Sequence, residues 1–376
     1  MLRRAPGPVI GRYCYGVSSH PVFLGIPPVA DSYLLPPQRE NIRRDFVRLQ
    51  LGGNHTLTEV NALPFEESKH AKVLPPPLFG AAMCAVQVPL RRDVSTTDNL
   101  DVLVTVGGRS ETSMIRGSTT EIWWCALLRP QPRWFRSSCS SSILPSRTFH
   151  TLTTINLSLA VLTGGIDDNN QPRDECFSIS WSTDATTGDK ASFLNLVPVV
   201  EPISALPCPL AFHACVCLKD SSLLVLGTSY AIGENSPSCS RVLRLVDVGS
   251  QWEDVVLKPP LPSMYNTTAK VATVSGVECV FVLGELRMTH RALKLFKIVL
   301  TESTSGFLTE IPFSNEFAPQ CTYGVSMHIS DDFLYVIGGR VCCPIDKDYS
   351  FNLLLNEPVR ALIGIDEDNT GSDKEE

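Results

Sequence analysis

The sequence contains six copies of one short pattern. Each copy has a proline, then an aromatic residue followed by a small or polar residue, then a short alternating strand, and after a gap an apolar run that ends in glycine. The aromatic residues are Tyr15, Phe79, Phe149, Phe212, Tyr265 and Tyr323. The glycines that end the runs are Gly25, Gly107 with Gly108, Gly164 with Gly165, Gly227, Gly284, and Gly338 with Gly339. Successive aromatic residues lie 53 to 70 residues apart, so the chain is an array of six repeat units, which we number one to six.

Four strand-like segments fit into each unit. In unit two, a third segment begins at Glu121 and a fourth contains Trp134 and Phe135. Four short strands in about 50 residues, with turn residues between them, are typical of a propeller blade. The sequence therefore predicts an all-β fold, a six-bladed β-propeller over residues 1–365, followed by an acidic tail over residues 366–376 that we expect to be disordered.

Two finer expectations concern the ring. The glycine-ended run is apolar throughout rather than alternating, so we expect it to be the inner strand of each blade, ending in glycine where the backbone turns near the central channel. We also expect a strand from Pro8 to Tyr15 to pair with the last blade and close the ring, because this removes an exposed sheet edge. Residues 289–300 have some helical periodicity, but their repeat position and β-branched end predict a strand.

Composition limits the class of protein. The chain is 43% hydrophobic and 19% charged, whereas disordered chains are polar and highly charged. It has no apolar run near the roughly 18 residues that span a bilayer and no recognisable signal peptide, so we expect a soluble, intracellular protein without a membrane partner. Its 13 cysteines include no C-x-x-C pair, and we expect them to be mostly small buried apolar side chains.

No motif for enzymatic chemistry has a supporting context, so we expect no cofactor, no metal and no catalytic activity. His150 and His213 occupy the same repeat position, which favours structural hydrogen bonding at a blade edge over chemistry. Asp167 and Asp168, with Asp174 and Glu175 beyond them, could bind a cation, but a solvated turn is the preferred interpretation.

Charge is unevenly distributed although the net charge is −7. Residues 122–166 contain no Asp or Glu, and two further basic clusters lie upstream. The arginines in these three places are Arg129, Arg133, Arg136 and Arg147; Arg91 and Arg92; and Arg39, Arg43, Arg44 and Arg48. One interpretation is solvated faces that keep the ring soluble. The other is phosphate contacts beside a partner's DNA, with the predicted hairpin of Arg129, Arg133 and Arg136 as the best candidate.

Double glycine after an apolar strand, with aromatic residues downstream, resembles the kelch repeat. A narrower resemblance covers residues 107–181. Its elements, in order, are GGRS at 107–110, S-x-I-L-P at 141–145, Phe-His at 149–150, L-x-G-G at 162–165, and a paired asparagine followed by Pro-Arg at 169–173. This order is similar to the kelch propeller of the V(D)J recombination-activating accessory subunit family, in the form found in transposon-encoded RAG-like systems.

The resemblance implies a non-catalytic accessory subunit of a RAG-like DNA transposase or recombinase. Such a subunit would act in the nucleus, bind the catalytic subunit in a hetero-tetramer with two copies of each chain, and stabilise the complex with DNA at terminal repeats. The chain has no Cys/His array for the PHD finger of the vertebrate family, so we expect no histone reading. The alternative is a generic kelch adaptor that recruits a protein, for example to a ubiquitin ligase. A propeller enzyme with a metal or charged cluster in its channel is a third interpretation.

Overall fold

The computed structural model of the chain is built from β-strands. It describes residues 2–3, 9–10, 13–19, 44–50, 57–59, 65–68, 71–73, 75, 78–93, 96–110, 121–127, 132–138, 143–183, 196–228, 240–286, 293–311, 322–330, 333–341 and 359–362. None of these residues lies in a helix. The fold class predicted from the sequence, all-β, is therefore confirmed.

The N-terminal part forms one sheet and one separate hairpin. Strands β1 (Leu2–Arg3), β3 (Tyr13–Ser19), β4 (Arg44–Gln50) and β5 (Leu57–Glu59) are neighbours in that order, and β2 (Val9–Ile10) pairs with β3. The hairpin consists of β6 (Phe65–Ser68) and β7 (Ala71–Val73). The aromatic residue of unit one, Tyr15, lies in β3, whereas Gly25 lies outside the described residues.

Units two and three each form a four-stranded antiparallel sheet. Blade two contains β9 (Ala82–Asp93), β10 (Thr96–Val106), β12 (Glu121–Ala126) and β13 (Arg133–Ser138), and a small ladder joins β8 (Leu78–Phe79) to β11 (Arg109–Ser110). Blade three contains β14 (Thr151–Ile155), β15 (Leu159–Thr163), β16 (Cys176–Thr183) and β17 (Leu196–Ile203).

Units four and five follow the same plan. Blade four contains β18 (Ala214–Cys217), β19 (Leu223–Thr228), β20 (Ser240–Leu245) and β21 (Glu253–Asp254). Blade five contains β23 (Met264–Val274), β24 (Val277–Leu286), β25 (Leu293–Glu302) and β26 (Ser305–Ile311), with β22 (Val256–Lys258) added in parallel to β26 at its outer edge. Strand β25 confirms the expectation of a strand within residues 289–300.

The last sheet contains three described strands: β27 (Thr322–Ser330), β28 (Phe333–Val341) and β29 (Val359–Leu362). Gly338 and Gly339 of unit six lie inside β28 rather than after it. The acidic segment 366–376 lies outside the described residues. The structure thus shows four blade-like sheets in a propeller-like arrangement. A total of six blades is still a prediction, and it requires units one and six to form blades as well.

The first strands of successive blades contact one another around the molecule: β9 with β14, β14 with β18, β18 with β23, and β23 with β27. The apolar core is accordingly divided into clusters between neighbouring blades, with one cluster shared by blades two and three, one by three and four, and one by four and five. Burying both faces of each sheet against its neighbours is what stabilises a radial arrangement of sheets.

The prediction that the glycine-ended runs are the innermost strands is wrong. The run of blade three, β15, is the second strand, between β14 and β16, and it is buried along most of its length. It is apolar throughout because sheet neighbours flank both edges and adjacent blades cover both faces. The innermost strand is β14, in which only Leu152 and Ile155 are buried.

The prediction of ring closure by strand pairing is also wrong for the described residues. Val9 and Ile10 pair with Cys14 and Tyr13 inside the N-terminal sheet, and β3 pairs with β4. The terminal strand β1 contacts β27 and β28, but the last sheet includes none of the described N-terminal strands. Local pairing of β2 with β3 takes up hydrogen-bonding groups that the predicted closure would have used.

Backbone hydrogen bonds at the aromatic positions link consecutive blades. Phe149 N donates to Gly80 O (2.8 Å), Phe212 N donates to Phe149 O (3.1 Å), and Thr267 N donates to Phe212 O (3.0 Å). The rings of Phe149 and Phe212 stack with their centroids 4.1 Å apart. Phe149 and Phe212, the repeat aromatic residues of units three and four, therefore link blades two to five in series.

Candidate functional site

The outer edge of blade two carries two of the three arginines predicted to lie near DNA. Arg133 and Arg136 belong to strand β13 itself rather than to a hairpin loop, and Arg129 lies outside the described residues. Side chains alternate between the two faces of a strand, so residues three apart point to opposite faces. The structure therefore does not bring Arg133 and Arg136 together into one patch.

The two faces of β13 have different surroundings. Phe135, on the face of Arg133, stacks on Trp124 with ring centroids 4.1 Å apart, inside the cluster shared with blade three. Arg136 pairs across the ladder with Trp123. Arg133 is thus the arginine whose strand face is directed toward blade three.

Arg136 is held by Glu121, the acidic residue that directly precedes the acid-free stretch 122–166. Its Nη1 lies 3.3 Å from Glu121 Oε1, and its guanidinium carbon lies 5.8 Å from the centre of the Trp123 ring. Trp123 Nε1 donates to the other oxygen of Glu121 at 3.0 Å. This arrangement neutralises much of the charge that Arg136 would offer to a phosphate.

A second acidic neighbour of β13 comes from the N-terminal hairpin. Strand β6 contacts β13, and its sequence includes Glu66 and Glu67. Arg133 forms no ion pair with a side chain that the structure describes, although β6, with its two glutamates, is the strand next to β13.

For the other predicted basic residues, only the position of each along its strand is described. Arg91 and Arg92 lie near the end of β9, where β9 and β10 continue as a two-stranded ribbon past the part of β10 that pairs with β12. Arg44 begins β4 and pairs with Ser19, and Arg48 lies in the same strand. Arg39 and Arg43 lie outside the described residues.

Arg147, the last arginine of the acid-free stretch, is a structural residue. Its side chain is buried, with the residue only 1% exposed. The guanidinium donates to the carbonyl oxygens of Pro145 (3.1 Å), Gly164 (3.0 Å) and Glu175 (3.4 Å), and it lies over the ring of Phe177. Burial lowers the pKa of Arg147 below its ordinary value, because desolvation penalises the charged form. It cannot contact DNA from this position.

The double glycines and the Phe-His pairs meet at the same junctions. In units two and three, both glycines of each pair have positive φ, from 56° to 106°, which a residue without Cβ adopts readily. A Cβ at Gly107 would lie 2.7 Å from His150 Cε1, and one at Gly164 would lie 3.0 Å from His213 Cε1. Each histidine therefore packs on the glycine of the preceding blade.

The histidine prediction is confirmed for His213. Its Nε2 lies 2.8 Å from Thr163 Oγ1, which in turn lies 2.6 Å from Thr151 Oγ1. His213 is the histidine of blade four, whereas both threonines belong to blade three. The buried imidazole thus cross-links two blades through hydroxyl groups, as expected for structural hydrogen bonding at a blade edge.

The acidic segment after β15 is a turn, as predicted, but Asp167 is buried, at 6% exposed, rather than solvated. Asp167 Oδ1 accepts hydrogen bonds from the backbone N of Asn169 and Gln171, both at 2.8 Å, and Oδ2 lies 2.7 Å from Arg173 Nη2. Asp168 accepts from Ser146 Oγ at 2.7 Å. These contacts use the oxygens that a cation would need, and no cluster of three or more potential metal ligands occurs among the described residues.

Seven of the cysteines within the described residues are shown to have free thiols. Five of them are buried, namely Cys84, Cys125, Cys176, Cys215 and Cys279. Desolvation raises the pKa of Cys84, Cys176 and Cys215 to about 12, so these thiols are poor nucleophiles. The prediction of small buried apolar cysteines holds for these five.

Comparison of the chain with protein-family models and with curated protein sequences finds no match. Within the described part of the chain, no helix is long and apolar enough to cross a membrane.

Proposed function

We propose that this protein is the non-catalytic accessory subunit of a RAG-like DNA transposase or recombinase. In this proposal the chain forms a six-bladed kelch-like propeller, acts in the nucleus, and binds the catalytic subunit in a hetero-tetramer with two copies of each chain. It stabilises the complex on terminal-repeat DNA through phosphate contacts. Divalent metal and strand transfer belong to the catalytic partner, and the accessory subunit itself is not an enzyme.

The observation that carries the proposal is the ordered motif of blade three. Leu144 is buried, Phe149 and His150 contact the preceding blade, and Gly164 and Gly165 turn the chain after β15. The paired asparagine and Arg173 close the turn after them through Asp167. The order of these elements along the chain is similar to that of the recombinase accessory family, and in this fold they form one continuous blade junction.

The blade arrangement supports a role as a binding partner. A ring of twisted sheets places its turns on two ends and its outer strands on the rim, where they offer contacts to other molecules. The rim strand β13 supplies Arg133, and the ribbon of β9 and β10 supplies Arg91 and Arg92. Contacts of this type add salt-dependent affinity without reading the base sequence.

The direct test is a co-expression experiment. The chain is expressed with the catalytic subunit of a RAG-like transposon, purified through a tag on one of them, and assayed for cleavage of terminal-repeat DNA with and without this chain. We expect co-purification that survives nuclease treatment and a clear stimulation of cleavage. Absence of both would contradict the proposal. A nuclease-insensitive partner of another kind, such as a ubiquitin ligase, together with unstimulated cleavage would favour the adaptor alternative.

Arg133 gives a residue-level prediction for the same complex. We expect Arg133→Ala to reduce by about one unit the slope of log affinity against log salt, which is roughly a tenfold loss of DNA affinity at 0.1 M salt for one phosphate contact. The measurement is fluorescence anisotropy of labelled terminal-repeat DNA over a salt series.

The matched control is Arg241→Ala on blade four, where Arg241 is bound by Asp254 through Nε and Nη2 at 2.9 and 2.8 Å. This control should leave slope and affinity unchanged. Equal effects of the two substitutions would show that general charge, rather than a contact at β13, determines the salt dependence.

A further inference from the structure

The N-terminal hairpin of β6 and β7 places an acidic strand against a basic one. Strand β6 has the sequence FEES, with two glutamates, and β13 has the sequence RWFRSS, with two arginines and no acidic residue. Cα atoms of these two strands lie within 8 Å of one another. The lysines of the same segment are Lys72, in β7, and Lys69, between the two strands in sequence. The strand in contact with β13 is therefore the acidic strand of the hairpin.

Backbone pairing does not fix the hairpin to blade two. Among the described strands, β6 and β7 pair with each other and belong to no larger sheet. An isolated two-stranded hairpin is marginally stable in water, so its place depends on packing and charge rather than on a ladder. Strand β13 is the terminal strand of its sheet, and among the described strands only β12 pairs with it. The hairpin can therefore leave β13 without breaking a sheet.

The charge of the covering strand affects what β13 can bind. Covering an outer strand protects a sheet from unwanted pairing, but a strand of any polarity would do this. Charges within about 10 Å of each other interact appreciably at 0.1 M salt, so two glutamates this close lower the positive potential at β13. A phosphate has the same sign of charge as a carboxylate, and both bind guanidinium groups in the same way. The glutamates of β6 and a DNA phosphate therefore compete for β13.

We infer that β6 is an autoinhibitory cover of the DNA-binding strand β13, displaced when a DNA phosphate binds Arg133. This inference rests on the proposed function for the identity of the anion, and it adds a means of regulating the contact. While the hairpin covers β13, its carboxylates take the place of the phosphate and the chain binds DNA weakly. Displacement of the hairpin needs no rearrangement of the blades, because no ladder joins it to them.

The test measures DNA binding by the full-length chain alone. The probe is a labelled duplex of arbitrary sequence, because phosphate contacts do not read the bases. The variant Glu66→Gln/Glu67→Gln neutralises both carboxylates of β6 with little change in shape. We expect it to bind the duplex about tenfold more tightly at about 0.05 M salt. The slope of log affinity against log salt should become steeper by about one unit, as one more phosphate contact forms.

The same substitutions in an Arg133→Ala chain identify the arginine that the cover acts on. We expect the gain to disappear there, because two residues that act on one contact are not additive. The matched control is Glu253→Gln/Glu302→Gln, which neutralises two exposed carboxylates on blades four and five. It makes the same change in net charge away from β13 and should leave the affinity nearly unchanged.

Three results would overturn the inference. They are a gain no larger than that of the control, a gain that persists in the Arg133→Ala chain, and no binding of the duplex by any variant. None of them decides the proposed function, which depends on co-purification with the catalytic subunit and stimulation of cleavage. Conversely, a gain that requires Arg133, in a chain that neither co-purifies nor stimulates cleavage, would support the cover and contradict the proposed function.

Discussion

Replacing Gly164 by alanine is expected to lower the free energy of unfolding by roughly 3–5 kcal/mol, combining left-handed backbone strain with overpacking against immobile atoms. Gly164 has a φ of +56°, and a Cβ there would lie 2.4 Å from Leu210 O and 3.0 Å from His213 Cε1. The first of these atoms is backbone and cannot move aside without shifting the junction between blades three and four. Urea denaturation followed by tryptophan fluorescence measures the change, with soluble yield as a second measurement if the variant does not accumulate.

The control for this prediction is Gly276→Ala. Gly276 also has positive φ, +83°, but no atom lies within 4 Å of the position of an added Cβ. This variant should therefore show the backbone strain alone, about 1–2 kcal/mol. The difference between the two variants isolates the steric contribution of the blade junction. If Gly164→Ala were no more harmful than Gly276→Ala, the close approach of the two blades at this point would be refuted.

Strand positions were predictable because they depend on local patterns. The third strand of blade two begins at Glu121, as the sequence indicates, and Trp134 and Phe135 lie in its fourth strand. Period-two alternation and turn residues lie within a few positions of the strands that they define. The repeat then extends each local inference to several units.

Features that depend on which strands become neighbours were not predictable in the same way. An apolar run shows that a strand is buried on both faces, but this is true of any interior strand of a blade, so the sequence does not separate β15 from β14 as the strand nearest the channel. Likewise, the arginines of unit two are close in sequence, but the alternation of β13 separates Arg133 from Arg136. The contact of Arg136 with Glu121 depends on strand pairing across the ladder.

The second large effect is expected for Arg147→Leu. We expect this substitution to lower the free energy of unfolding by about 2–4 kcal/mol, because buried carbonyl oxygens lose a charged donor. The guanidinium bonds Pro145 O, Gly164 O and Glu175 O. A leucine side chain fits at this position, because the equivalent position of the next blade is occupied by Leu210. The carbonyl of Arg147 accepts from Gly108 N in the same way that the carbonyl of Leu210 accepts from Gly165 N one blade later, and Leu210 is fully buried. The loss of stability therefore measures the cost of leaving three carbonyl oxygens without a donor, rather than a poor steric fit of leucine.

Arg241→Leu provides the comparison for a surface arginine. Arg241 binds Asp254 through two hydrogen bonds, but the Asp254 side chain is 60% exposed, and ion pairs of this type contribute at most about 1 kcal/mol. Denaturation of both variants under the same conditions decides between two accounts of Arg147. A large loss confined to Arg147→Leu means that this arginine organises the junction between β14, β15 and the turn after them. Equal and small losses would mean that water replaces the guanidinium, and the junction would then depend on the glycines and aromatic residues alone.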